Sequence, residues 1–146
     1  MKIFKLSKDA KVPVRANKTD AGLDLYAAET VEIKAGKGEM IGTKLVIAIP
    51  TGTTGMICDR SSMGVKGFKV HGGIIDEYRG EVKVVLWNHS GVDQTINQGD
   101  KIAQLLIVPL LFPEPEEVQS FDDLPPTTRG SNGFGSTGSN WHSPPP

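Results

Sequence analysis

GLDLYAAETVEIKAGKGEMIGTKLVIAIP, Gly22 to Pro50, sets the architecture of this chain. Leu23, Leu25 and Ala27 fall at every second position, Val31 and Ile33 follow, and Leu45, Ile47 and Ile49 repeat the pattern. A period of two belongs to a strand with one buried face. Lys34 to Lys37 around Gly36, and Pro50 to Gly52, are the turns between such strands. Farther along, Val82, Val84 and Leu86 alternate in the same way, with turn signals at Ser90–Gly91 and Gln98 to Asp100. Short strands at such intervals predict an all-β sandwich or barrel. The one stretch of helical character is short, from near Ser61 to about Gly67, and Gly64 and Val65 weaken it. Lys101 to Phe112, KIAQLLIVPLLF, is almost continuously apolar and reads as a strand covered on both faces, one cover coming from a partner subunit.

The 146 residues suffice for one core without a disulfide or structural metal. Acidic and basic residues are interspersed and the formal charge is -1, so no nucleic-acid-binding face is evident. Cys58 is the single cysteine, which excludes an intrachain disulfide and a multi-cysteine metal cluster, fits a reducing compartment, and reads as a buried strand thiol. No apolar run has the length of a signal peptide or membrane span. The expectation is an intracellular protein, cytoplasmic or nuclear and not secreted, with no membrane or nucleic-acid partner. His71 and His89 are too isolated in sequence for a metal site.

From Pro113 the composition changes. Residues 1–112 read as the core, 113–128 as an arm, 129–140 as a glycine-rich mobile segment and 141–146 as an interaction tag or disordered remnant. The segment RGSNGFGSTGSN is either a plain disordered end or a phosphate-binding lid. Its glycines free backbone N–H groups, Arg129 supplies a planar fork for phosphate oxygens, and Phe134 offers a stacking ring. No lysine follows the glycines, so it is not a Walker loop.

Within the core, DRSSMG places Arg60, Ser61 and Ser62 at the mouth of the short helix, as an ordinary N-cap or as anion donors. HGGIIDEYRGEV, His71 to Val82, reads as a hairpin whose glycines permit close approach of a ligand. Asp76 at its bend is a turn former or a base. Asp24 and Gln104 interrupt apolar strands, so each is hydrogen-bonded in the core or faces a site.

Together and in order, AGLDLYA (Ala21 to Ala27), RSS (Arg60 to Ser62), GGIID with YRG (Gly72 to Gly80), GDKIAQLL (Gly99 to Leu106) and RGSNGFGSTG (Arg129 to Gly138) resemble the five motifs of the homotrimeric dUTPase family, over nearly the whole chain. The resemblance implies a distorted β-barrel or jelly-roll-like subunit with one short helix, a C-terminal arm and a flexible lid. It also implies a homotrimer whose three sites are each shared between chains. The implied reaction is hydrolysis of dUTP to dUMP and pyrophosphate, which limits uracil in DNA and supplies dUMP.

By the same resemblance Asp76 would be the general base for water attacking the α-phosphorus. Arg60, Ser61 and Ser62 would bind phosphates, and Gln104 would fix the water and phosphate network. Mg2+ would be bound through phosphates and waters, with Asp24 holding those waters and no residue ligating the metal directly. Backbone at Gly73 and Ile75 would read uracil, with Tyr78 under the sugar. Arg129, Gly135, Ser136 and Thr137 would close on the γ-phosphate while Phe134 covers the base.

The chain departs from the family pattern twice. Asp59 stands where proline is common, bringing a carboxylate near a phosphate site or pointing it away along the strand. Asp76 and Tyr78 are separated by Glu77 alone, where the family has two residues. A one-residue change flips strand side chains unless the turn, with Gly72, Gly73 and Gly80, absorbs it. Two alternatives stay open: an impaired or non-catalytic trimer of this fold that binds a nucleotide or partner, and a dCTP deaminase-like enzyme.

Overall fold

The computed structural model describes residues 1–133. The first strands are β1 (Lys2–Lys5), β2 (Leu23–Tyr26), β3 (Val31–Ile33), β4 (Gly38–Gly42), β5 (Leu45–Ala48) and β6 (Thr53–Cys58). The helix α1 (Ser61–Val65) follows, then β7 (Phe68–His71), β8 (Ile74–Ile75), β9 (Lys83–Asn88), β10 (Gln94–Ile96) and β11 (Lys101–Pro109). Every strand pairing is antiparallel. The all-β expectation holds, but the ladders do not close into a barrel. They divide into sheets of order β1-β5, β10-β3, β2-β11-β6-β8 and β4-β9-β7.

One apolar core joins these sheets. Leu25, Ile33, Ile41, Leu45, Ile47 and Leu86 are completely buried, each at a position the two-residue period directs inward. Asn88 is also fully buried, and its amide is satisfied: Nδ2 donates to the Ile33 and Val92 carbonyls, while Oδ1 accepts from Ser90. That set of bonds fixes the Ser90–Gly91 turn.

β11 is the central strand the apolar run predicts, but only its first half is covered on both faces. Ile102, Ala103 and Leu105 are fully buried, Leu106 to Val108 are half-buried, and Leu111 is almost fully exposed.

The stretch from His71 to Val82 is not a hydrogen-bonded hairpin. β7 pairs with β9, whereas β8 pairs with β6 in a different sheet. Gly72 and Gly73, both at positive φ, carry the chain from one sheet to the other.

The chain divides into one compact unit spanning Met1–Leu111 and a second that starts at Phe112. In the second, a short 3-10 turn (Phe121–Asp123) is held by a reciprocal cap between Ser120 and Asp123. Among the described residues no helix is long and apolar enough to cross a membrane.

Candidate active site

Strand register builds the first half of the site. β2 on β11 sets Asp24 opposite Gln104, and β11 on β6 sets Gln104 opposite Cys58. Arg60 follows two residues later as the N-cap of α1. Residues distant in sequence thus form one row across the sheet. Asp24, Gln104 and Arg60, with Gly22, Ser61 and Asp20, line a cleft of about 260 Å³.

Arg60 Nε donates to Asp24 Oδ1 at 2.8 Å, and Nη1 reaches Ser62 Oγ at 3.3 Å. Gln104 Nε2 donates to the Asp59 carbonyl at 2.7 Å. Gly22 is required for this packing, since a Cβ there would stand 2.2 Å from Gln104 Oε1. Ser61 and Ser62 are exposed and do not cap the helix; the cap is Arg60, with no side-chain cap bond.

Lys101 is the member that sequence reasoning missed. Lys101 pairs with Tyr26 and Ala103 with Leu25, so Ile102 is an extra residue and β11 bulges there. The bulge turns Lys101 onto the face of Asp24, with Nζ 2.7 Å from Oδ2. This is a close ion contact, not a well-directed hydrogen bond, and among the described residues Oδ2 has no other partner. Contact with Asp24 and its negative charge hold the Lys101 ammonium above its ordinary value. Strand alternation read from sequence cannot reveal a bulge, and so gave no signal for Lys101.

Asp59 points away from this cleft. Its carboxylate binds Lys69 Nζ and accepts from the Val70 N–H at 2.6 Å, both on β7. Burial pushes its pKa up, but the Lys69 and Val70 bonds, with the charges of Lys69 and His71, outweigh this and leave it below the usual carboxylate value.

The remaining core residues of the predicted site lie elsewhere in the chain. A smaller cavity is lined by Ile57, Gly73, Ile75, Tyr78, Glu81 and Lys83. Gly73 passes so close to β6 that a Cβ would sit 2.7 Å from the Ile57 carbonyl, and the Gly73 carbonyl is taken by the Ile57 N–H at 2.6 Å. That bond takes one lone pair of the Gly73 carbonyl.

Beyond β8 the chain from Asp76 to Val82 is irregular, so the short spacing shifts no strand register. Both ends of this segment are tied down. Thr54 Oγ1 donates to the Ile75 carbonyl at 3.0 Å, while Thr43 Oγ1 donates to the Val82 carbonyl and Glu81 accepts from the Lys44 N–H. Gly80 leaves room for the Tyr78 ring, whose Oη would lie 2.1 Å from a Cβ at that position.

Asp76 is exposed, and its nearest described partner is Thr54 Oγ1 at 3.4 Å. Thr54 pairs with Val108 and Cys58 with Gln104, four residues apart on β6. At the rise of a strand, Asp76 therefore lies roughly 13 Å along the sheet from the row of Asp24, Gln104 and Arg60. Within this chain Asp76 does not meet that row.

Arg129 belongs to the second unit, where Nε donates to the Asn132 carbonyl at 2.8 Å. Phe134, Gly135, Ser136 and Thr137 lie outside the described residues. Cys58 is half-buried, less enclosed than a core thiol. His71 and His89, far apart in sequence, meet around Trp87 with imidazole centroids 5.9 Å apart. Among the described residues no three potential metal ligands converge.

Residues 8–138 match the dUTPase family model. The chain is 42% identical to the deoxyuridine 5'-triphosphate nucleotidohydrolase of Debaryomyces hansenii, over 96% of this chain and 88% of that protein. Identity to the Candida albicans protein of the same name is 43%, over 96% and 89%. In structure it is similar to a mutant dUTPase of Staphylococcus bacteriophage 80alpha with dUpNHpp, at TM-score 0.86 and 30% identity over 94% of this chain and 98% of that one. A mutant dUTPase from phage phi11 of S. aureus, described for its coordination of a structural Mg(II) ion, is similar at TM-score 0.77 and 30% identity over 84% and 98%.

Proposed function

The chain belongs to the dUTPase family, and from that premise we infer that it hydrolyses dUTP to dUMP and pyrophosphate. The observation that carries the reading onto its own residues is the cross-sheet row of Asp24, Gln104 and Arg60, with Ser61 beside it at one cleft. A triphosphate brings about four negative charges, which a chain of charge -1 has to meet locally. Arg60 and Ser61 donate to its oxygens, and Gln104 orients the phosphate and water network. Asp76 takes a proton from the water that attacks the α-phosphorus; the new P–O bond forms as the bond to pyrophosphate breaks.

Mg2+, when bound with the triphosphate, neutralises phosphate charge. The donor set fits a metal held through waters: Asp24 is a buried carboxylate facing the cleft, and among the described residues its Oδ2 has only the partly exposed Lys101 ammonium against it. Asp24 is the residue that would hold those waters.

The distance between Asp76 and the phosphate row supports a site shared between copies. In a homotrimer one chain supplies Asp24, Arg60, Ser61, Ser62 and Gln104, and a second supplies Gly73, Ile75, Asp76 and Tyr78. The segment carrying Arg129, Phe134, Gly135, Ser136 and Thr137 closes over them. Exposed Leu111 and half-buried Leu106 to Val108 are apolar surface that assembly would cover.

Pyrophosphate release from dUTP with Mg2+ tests the reading. The expected result is turnover with dUTP and no ammonia from dCTP, with turnover lost in Asp76→Asn while dUpNHpp still binds. Binding of dUpNHpp by a wild-type protein that releases no pyrophosphate would favour a non-catalytic binding trimer, and ammonia release a deaminase.

A further inference from the structure

Thr54 is 3% exposed at the second position of β6, with its side chain turned toward β8. Its hydroxyl has a single proton and two acceptors: the Ile75 carbonyl at 3.0 Å and Asp76 Oδ1 at 3.4 Å. The two acceptors belong to consecutive residues at the point where β8 ends and the irregular segment begins. Asp76 has no other described hydrogen-bond partner, and its side chain is otherwise in solvent. An exposed aspartate on an irregular segment samples several rotamers, whereas a general base must be held near the water it deprotonates.

We propose that Thr54 is a positioning residue for Asp76, resting on the reading of Asp76 as the base. The bond to the Ile75 carbonyl fixes the backbone from which the aspartate projects. The same hydroxyl lies 3.4 Å from Oδ1 and donates there when its proton turns from the carbonyl, which favours the rotamer that keeps Oδ1 against Thr54. The role passes through two contacts to one buried atom, and β6 is paired on both edges, to β11 and β8, so the hydroxyl sits on a rigid support. This explains how an Asp76–Tyr78 bend one residue short of the family spacing keeps its carboxylate oriented: the restraint acts before the bend, not across it.

Thr54→Val removes the hydroxyl and keeps the β-branched shape that suits a strand; Thr54→Ser keeps the hydroxyl and loses a methyl. The expected result for Thr54→Val is a kcat on dUTP lower by about tenfold, because the carboxylate is no longer held. KM and dUpNHpp binding stay near wild type, and Thr54→Ser recovers most of the kcat. In an Asp76→Asn background Thr54→Val causes no further loss. Circular dichroism verifies folding, and Thr54→Ser keeps the test decisive if the valine variant unfolds, since a serine variant as slow as Asp76→Asn contradicts the proposal. A wild-type kcat in Thr54→Val overturns it, as does a loss that appears equally in dUpNHpp binding. If Asp76→Asn itself turns over at the wild-type rate, the base assignment falls; an inactive Asp76→Asn beside a fully active Thr54→Val sinks the positioning role alone.

Discussion

Arg60 Nε lies 2.8 Å from Asp24 Oδ1, and this bond ties the start of α1, which follows β6, to β2 across the intervening strand β11. With Lys101 on the other oxygen, the Asp24 carboxylate is held between two cations. Asp24→Asn keeps the shape and removes the charge. Expected are a loss of roughly 1–2 kcal/mol of stability, below the value for a fully buried pair because both cations reach solvent, and a fall in kcat of at least about tenfold. Thermal unfolding and pyrophosphate release with Mg2+ measure the two effects separately.

Gly22→Ala tests the packing of Gln104. The added methyl would overlap Gln104 Oε1, so the amide must swing away and give up its bond to the Asp59 carbonyl. Overpacking of this kind costs about 1–3 kcal/mol. The activity should fall further than stability alone explains, which comparison at a temperature well below the midpoint will reveal.

Asp59→Asn gives a pH-dependent difference in stability of known sign. The folded carboxyl titrates below its ordinary 3.8, so its ionised form stabilises the fold above that value and the benefit disappears as pH falls through the lowered folded value. The wild type should exceed Asp59→Asn by up to about 1 kcal/mol at neutral pH, since Lys69 is largely in solvent. Denaturant titrations should show the gap closing below about pH 4. A gap that widens on acidification would contradict the assignment.

Deleting residues 129–146 removes Arg129 and the segment that follows while leaving Met1–Leu111 whole. The expected outcome is an unchanged far-ultraviolet spectrum and unfolding midpoint with kcat/KM reduced on the order of 100-fold or more. Size-exclusion chromatography checks assembly: a change of oligomeric state on truncation would make the segment structural.

Inserting one residue after Glu77 restores the family spacing. Asp76 precedes the insertion and Thr54 holds it, while Val82 and Glu81 anchor the far end, so the extra residue displaces Tyr78 from its place over Gly80. KM for dUTP should rise severalfold with no gain in kcat. A faster enzyme would show that the short bend misplaces the carboxylate.

The two-residue period from Leu23 to Ile49 determined the strands, because alternation of apolar side chains has one low-energy solution, with the apolar face inward. The short helix was equally legible, and so were the motif residues Asp24, Arg60, Gln104 and Asp76 as chemistry-bearing positions. Which of them meet was decided only by tertiary structure. Register across β2, β11 and β6 sets Asp24, Gln104 and Arg60 in one row and leaves Asp76 at the far end of β6. Register depends on long-range pairing that no local window contains. The bulge at Ile102 that delivers Lys101 to Asp24 and the buried hydroxyl of Thr54 against Asp76 have the same origin. Each is a consequence of backbone ladders whose offset is fixed by the packing of the whole core.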